Sequence, residues 1–394
     1  MWRERLITGS LSLIAALLAI LIGVYLWSLS AVNAPGPLTQ PATVIIKSGT
    51  GLSAIARQLQ QARIVSNDLL FEWEARRNGQ GRNLKPGEYR FEPGGSMSAV
   101  IEKLIKRDVV KRFVTIPEGL VTTDILRTLA ATEGLVGDSP DDITDGDLMP
   151  ETYSYEWGDT KVSMIERMRR ARETALQDLW AKRARDLPLE SPEEAMALAA
   201  IVEKETGLAA ERGKVAGVFI NRLKKKMRLQ SDPTVIYGIN PQGLGRDLTR
   251  EDLAAPSAFN TYVIDRLPPA PICHPGRAAI AAVLNPEPTD ALYFVADGTG
   301  GHAFAATLAE HNRNVARWRK VDAGMAPPPE KAATPTKTNT KAVAKPIPKP
   351  APAISKTPKL PAKNESVPPP VSRTKAFAQP VLPPTVGELP QSDN

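Results

Sequence analysis

The sequence predicts an α+β protein with a single N-terminal transmembrane helix, two folded domains of mixed helices and strands, and a disordered C-terminal tail. Three observations carry this. Residues 7–29 are almost wholly apolar, and no charged residue occurs between Leu6 and Ile46. Short β-rich runs then alternate with helical patterns as far as Arg319, without the strict βαβ order of a parallel sheet. From Ala326 onward the chain is rich in Pro, Lys, Ala and Thr and nearly free of aromatics, so it cannot bury enough surface to fold.

The apolar run is long enough to span a bilayer. Tyr25 and Trp27 suit the far interface, and Arg3 and Arg5 precede the run while no cation follows until Lys47. The positive-inside rule therefore places the N-terminus in the cytoplasm and the remainder outside. Val32-Asn33-Ala34 has the look of a signal cleavage site, but Pro35 follows it and the run is long for a signal peptide. An uncleaved anchor over 7–29 is the reading taken, after a cytoplasmic stub at 1–6 and before a linker at 30–40.

Thr43–Ile46 reads as a strand, Lys47–Gly51 as a turn and Leu52–Gln61 as a helix. Helices follow at Asp68–Arg77 and Ser96–Lys106, with a strand at Glu88–Phe91 between them. A further strand at Arg112–Ile116 is stopped by Pro117-Glu118-Gly119, and Thr122–Ala131 is helical. The acidic, turn-rich stretch Thr132–Asp147 marks a junction, so one domain is expected over 41–135 and a second over 136–322. Tail residues fill 323–394.

In the second domain, Met149–Tyr153 is extended, and a charged helix runs from Lys161 to Arg185. Helices at Ser191–Gly207, Glu211–Lys226 and Arg277–Leu284 follow. Between them, Arg228–Pro275 is punctuated by prolines yet holds Val235, Tyr237, Phe259 and Tyr262, which suits an ordered, loop-rich cleft wall. Leu292–Ala296 and His302–Phe304 read as strands about the turn Asp297–Gly301, and Thr307 with Glu310 opens a last helix.

Composition excludes some function classes. The formal net charge is +7, with no basic stripe interleaved with aromatics, so no nucleic-acid partner is expected. Cys273 is the one cysteine, which rules out an intramolecular disulfide. Cys273, His274, His302 and His311 stand at no recognised metal-ligand spacing. The glycines of Asp297–Gly301 lack the strand–GxGxxG–helix order of a phosphate cradle and suit a hairpin turn.

The chemistry concentrates in SPEEAMALAAIVEKETG, Ser191–Gly207. Ser191, Pro192 and Glu194 form a helix start, and Ala195–Val202 is apolar throughout, as in a helix buried on nearly all sides. A carboxylate at its end meets an apolar body and the negative end of the helix dipole, which both raise a pKa as a general acid requires. Glu203 and Glu205 are separated by roughly 200° of rotation and cannot share that task. Glu203 lies over Met196, Ala199 and Ala200, and Glu205 over Leu198, Ile201 and Val202. Periodicity does not choose between them, and a solvated helix end is the plainer alternative.

Longer runs carry a resemblance. AAIVEKETGLAAERGKVAGVFINRLKKKMRLQSDPTVIYG, SAFNTYVIDRLPPAPICHPG and LNPEPTDALYFVADGTGGHAFAATLAEHNRNVARWR resemble the MltG/YceG-like endolytic murein transglycosylases, over about Thr43 to Arg319. The strand, SGTGLSAIA turn and helix that open the first domain also resemble a LysM glycan-binding module.

The resemblance implies that Glu203, in IVEKET, is the catalytic glutamate. It places Ser231, Asp232, Tyr237, Asn260, Tyr262, Asn285 and His302 near the glycan. Where the family commonly has EGYLFPDTY, SPYNTY and CNPG, this chain has GDLMPETYSY, SAFNTY and CHPG. The implied reaction cleaves the bond between N-acetylmuramic acid and N-acetylglucosamine with 1,6-anhydro ring closure, and needs neither cofactor nor metal. Peptidoglycan glycan strands, the inner membrane and peptidoglycan synthases are the implied partners. A hydrolytic muramidase, with Asp232 as second carboxylate, and a non-catalytic glycan-binding scaffold are the alternatives.

Overall fold

The computed structural model describes residues 2–325; the Pro- and Lys-rich tail expected to be disordered lies outside the described residues from 326 onward. The elements run α1 (Trp2–Asn33), β1 (Ala42–Ile46), α2 (Leu52–Gln61), α3 (Asp68–Arg77), β2 (Gly87–Phe91), α4 (Met97–Lys106), β3 (Arg112–Thr115) and α5 (Thr122–Ala131). Then come β4 (Thr152–Tyr155), α6 (Lys161–Ala181), α7 (Pro192–Glu205), α8 (Arg212–Lys224), α9 (Asp232–Ile239) and α10 (Arg250–Ala254). Last among the described residues come α11 (Arg277–Leu284), β5 (Tyr293–Ala296), β6 (His302–Ala305) and α12 (Leu308–Asp322). Among the described residues the architecture is mixed α+β, with strands paired in three separate two-stranded antiparallel sheets.

The chain divides into two compact units: Met1–Glu205 with Pro269–Asn285, and Thr206–Pro268 with the chain from Pro286 onward. In the first, β1 and β2 pair from Ala42 opposite Phe91 to Ile46 opposite Gly87, with α2 and α3 between them in sequence. Alternation buries Val44 and Ile46 on one face of β1 against Ile55, Leu59, Phe71, Tyr89 and Leu104. Asn67 and Ser96 cap α3 and α4, accepting from the N–H groups of Leu70 and Ala99.

Helix α1 carries 23 residues, Leu11–Asn33, long and apolar enough to cross a membrane. It continues to Asn33, and its last turns join the first core. Val32 is buried there, and Ser98 Oγ donates to Asn33 Oδ1 at 3.0 Å. Immediately beyond, Gly36 N–H donates to Gly95 O at 3.1 Å, and Pro35 bridges to Ser96. A side chain at Gly36 would strike the Gly95 carbonyl, its Cβ 2.6 Å from that oxygen, so this close crossing needs a glycine.

A second core gathers Val114, Ile116, Ile125, Leu129, Leu148, Met164, Ile165 and Met168 around the β3–β4 pair. Between the two cores, Arg112 donates to Glu88 through Nε (2.6 Å) and Nη2 (3.1 Å). Helix α6 ends at Ala181, short of the expected Arg185. Trp180 O there accepts from the Arg183 N–H and from Arg183 Nη1, whose guanidinium lies over the Trp180 ring. Helix α7 packs on α6 and α11, and Ala195 to Val202 are all buried as expected.

In the second unit, Arg222 of α8 is buried and holds three backbone carbonyls, of Leu292, Arg228 and Leu229. That clamp fixes the loop leading to α9. The segment expected to be loop-rich, Arg228–Pro275, contains two short helices, α9 and α10. Pro233 in the first turn of α9 looks like a loop residue in sequence, although proline suits that position. The β5–β6 hairpin turns on Asp297, whose Oδ1 accepts from the N–H groups of Thr299 and Gly301, as the hairpin reading expects.

Candidate active site

The first unit builds a carboxylate site where two helix ends meet. Ser191 accepts from Glu194 N–H to start α7, and the Glu194 carboxylate accepts from Glu190 N–H at 2.8 Å. Eight buried residues then deliver Glu203 to the C-terminal turn, half-buried. Glu203 Oε2 accepts from Gly276 N–H at 2.9 Å. Gly276 is the N-cap of α11, so the carboxylate occupies that helix's N-terminus while belonging to the C-terminus of α7. The two dipoles act on it in opposite senses. The Gly276 bond was not legible in the sequence, because its partner stands 73 positions away.

Two loops frame this contact. Gly119 N–H donates to His274 O at 2.9 Å, and His274 N–H returns to Leu120 O at 2.8 Å. Gly119 has φ +78°, and Lys204 Nζ donates to its carbonyl at 3.4 Å. A Cβ on Gly119 would lie 3.6 Å from Glu203 Cγ, and one on Gly276 would lie 1.7 Å from Glu118 Oε1. The Glu118 carboxylate therefore rests on Gly276, beside the atom that holds Glu203. In the sequence, Pro117-Glu118-Gly119 reads only as a strand breaker.

His274 underpins the loop pair. It is fully buried, with Nε2 3.0 Å from Thr122 Oγ1 and Nδ1 against the backbone of Leu148. Burial holds its pKa below the usual histidine range, opposed by the Asp145 carboxylate. Cys273 beside it is buried, and burial pushes its thiol well up; Sγ donates to Ala200 O at 3.5 Å. Among the described residues no three His, Cys, Asp or Glu side chains group as metal ligands.

Asn285 belongs to the same unit but caps the far end of α11 from Gly276. The eight-residue helix separates them by about 12 Å.

The other expected residues lie in the second unit and fall into two groups. Ser231 is buried; its N–H donates to Thr261 Oγ1 at 2.9 Å, and its carbonyl accepts from Thr234 Oγ1 at 2.6 Å. Asp232, next in sequence, accepts from Tyr262 Oη at 2.6 Å. Burial pushes the Asp232 carboxyl up to about 6, against the lowering effect of that hydrogen bond. Asn260 is buried and holds carbonyls of Ala255 and Leu253 while accepting from Tyr262 N–H. Tyr237 packs edge-on to Phe259 with ring centres 4.9 Å apart.

His302 stands on β6, with Nδ1 2.7 Å from Glu211 Oε2 and its N–H donating to Glu211 Oε1. Glu211 was missed, although it stands directly before α8 in the run that carried the resemblance. Asp232, Tyr262 and Asn260 thus form one hydrogen-bonded chain, Ser231 is held by Thr261 and Thr234, and His302 has a carboxylate partner of its own.

Glu203 is thus a half-buried carboxylate whose direction is set by a backbone N–H at the end of an apolar helix. The chain belongs to the YceG-like family, whose family model matches residues 44–317. It is 30% identical over 305 residues to a Bacillus subtilis protein named endolytic murein transglycosylase, covering 68% of this chain and 82% of the relative. A Streptococcus pneumoniae protein of the same name is 28% identical over 324 residues, covering 70% of this chain. This chain spans 58% of that relative's length. A crystallised yceG-like protein of Listeria monocytogenes superposes with a TM-score of 0.46 at 28% identity, covering 70% of this chain and 99% of that one.

Proposed function

We propose that this protein is an endolytic murein transglycosylase, a lyase that cuts peptidoglycan glycan strands from a membrane anchor, with Glu203 as its acid and base. The single observation that carries the catalytic assignment is Glu203 Oε2 at 2.9 Å from Gly276 N–H. That bond fixes the direction of a carboxylate on a rigid, buried helix, which proton transfer in a defined geometry requires.

Glu203, protonated, gives its proton to the oxygen joining N-acetylmuramic acid to N-acetylglucosamine, and the bond from the anomeric carbon to that oxygen breaks. Positive charge develops on the muramoyl ring, and fixed dipoles stabilise it. The ionised Glu203 then removes the proton of the muramoyl 6-hydroxyl, whose oxygen bonds to the anomeric carbon. The products are a 1,6-anhydro end and a free 4-hydroxyl, and no water is consumed. Cleavage within nascent strands limits their elongation. Ser231, Asp232, Tyr237, Asn260, Tyr262, Asn285 and His302 are proposed on the glycan path, with Asp232 and Tyr262 as the polar pair most able to meet a sugar hydroxyl.

The β1–α2–α3–β2 order, with its two strands antiparallel, supports a LysM-like glycan-binding role for the first domain. The apolar length of α1 supports a single-pass anchor in the inner membrane, with a cytoplasmic N-terminus and the folded units in the periplasm. Peptidoglycan synthases are the proposed neighbours there.

Asp232, raised to about 6, favours a second reading in which it activates water and the enzyme hydrolyses the same bond. Mass spectra of peptidoglycan digested with the full chain in detergent decide. Ends lighter by one water than reducing ends support the transglycosylase. Reducing ends alone would replace it with the hydrolase, and no cleavage with wild type would leave only the scaffold.

A further inference from the structure

Helix α3 shows an outward face that its own unit leaves uncovered. Its inner face buries Phe71, Glu74 and Ala75. Its outer face carries Leu69, 72% exposed, and Trp73, 41% exposed, one turn apart. Arg76 and Arg77 continue the same stripe, and with Glu72 these residues line a groove. A soluble helix places polar residues there, so an exposed leucine and tryptophan in register need a partner.

The level of this face relative to α1 says what the partner is. Helix α1 packs on α3 and α4. Arg77 Cζ lies 5.9 Å from the centre of the Tyr25 ring and 5.1 Å from that of Trp73. The hydrocarbon of a bilayer is about 30 Å thick, or about 20 helical residues. Counted from Leu6, the first apolar residue after Arg5, it ends near Tyr25. Tyr25 and Trp27 then mark the outer boundary, and Trp27 is 66% exposed, as a lipid-facing residue is. The Tyr25–Arg77–Trp73 stack therefore sets α3 at the level where acyl chains give way to headgroups.

We propose that the Leu69–Trp73 face of α3 rests in the phospholipid interface that α1 crosses, so that the first domain lies on the bilayer. This rests on the reading of α1 as a membrane span. Leu69 and Trp73 enter the upper acyl region, where a leucine side chain and an indole are both favoured. Arg76 and Arg77 are paired with Glu72 and Glu74, so these four groups carry no net charge. The face consequently recognises the apolar and polar layers of a phospholipid surface and does not depend on anionic lipid.

The test uses the full chain in phosphatidylcholine vesicles. Cysteine is introduced at one position at a time, Leu69→Cys or Leu18→Cys, and labelled with an environment-sensitive fluorophore; Cys273 is buried and escapes labelling. Phospholipids carrying a doxyl quencher at the top of the acyl chain or deep within it are then added. Emission from position 69 should fall at least twofold with the shallow quencher, and that from position 18 with the deep one. A label at 69 that ignores the quencher while 18 is quenched overturns the interface proposal and spares the anchor. An unquenched label at 18 overturns the anchor reading and the proposal with it. A blue shift at 69 without quenching means that protein covers the face, and also overturns the proposal.

Discussion

Gly276 N–H meets Glu203 Oε2 at 2.9 Å, and the same glycine carries the Glu118 carboxylate against its α-carbon. One residue thus touches both acidic side chains of the site. Its φ of −74° suits any amino acid, so its lack of a side chain answers to space alone. A Cβ there would lie 1.7 Å from Glu118 Oε1. Glu118 is exposed, so Gly276→Ala should displace its carboxylate without unfolding the chain. We expect kcat to fall by roughly tenfold to a hundredfold, the scale of an ångström-sized misplacement, with unfolding shifted by less than about 1 kcal/mol. Glu118→Gln should lose activity in the same range. Wild-type turnover in both variants would remove Glu118 from the site.

Glu203→Gln keeps the side chain's shape and removes its transferable proton. Turnover should drop by about 10²–10⁴-fold or more, because one group serves both proton transfers. Glu205→Gln should keep most activity, since Glu205 leaves α7 in the opposite direction. Release of 1,6-anhydro ends, compared between the two at equal folded fraction, reads the difference. The reverse outcome would move the catalytic role to Glu205.

Asp232 gives stability a definite pH dependence. Burial raises its carboxyl to about 6 in the folded chain, above the 3.8 of an unperturbed aspartate. Between those values the folded state binds a proton that the unfolded state does not. Its contribution is therefore fully present below about pH 4 and is lost as pH rises through 6. A shift of this size corresponds to at most about 3 kcal/mol. Urea unfolding of wild type and Asp232→Asn at pH 4.5 and 7.5 should show a steeper decline for wild type. Equal slopes would place Asp232 in a solvated setting.

Val32 belongs to both the apolar helix and the first domain's core, where it is 2% exposed. Val32→Ala should lower the stability of that domain by roughly 1–2 kcal/mol, the cost of deleting buried methyl groups. A chain beginning at residue 41 should melt lower still, because it loses the Asn33–Ser98 and Gly36–Gly95 bonds as well. Thermal unfolding that is identical with and without residues 30–40 would show that the helix end adds nothing.

Local pattern made most elements legible. The β-branched run Thr43–Ile46 and the apolar block Ala195–Val202 reach the same strand and buried helix in the structure. Helix α9 escaped because eight residues opening Asp-Pro look like a loop when read among so many prolines. In the candidate site, the pattern pointed to the end of α7 without choosing between Glu203 and Glu205, and the surroundings of Glu203 were not legible. Gly276 reaches it directly, with Glu118 against Gly276 and His274 against Gly119, through tertiary contacts over long separations that no period in the chain records. Asn285 shows the converse: a short distance in sequence from Gly276 becomes the length of a helix in space.

The Gly36–Gly95 crossing, with Pro35 bridged to Ser96, leaves no loose joint between α1 and the domain it enters. With α1 in a bilayer, rotation about its axis turns that domain through the same angle. A neighbour gripping the lipid-facing side of α1 would hold a steering shaft, and could aim the first domain from inside the membrane without touching it.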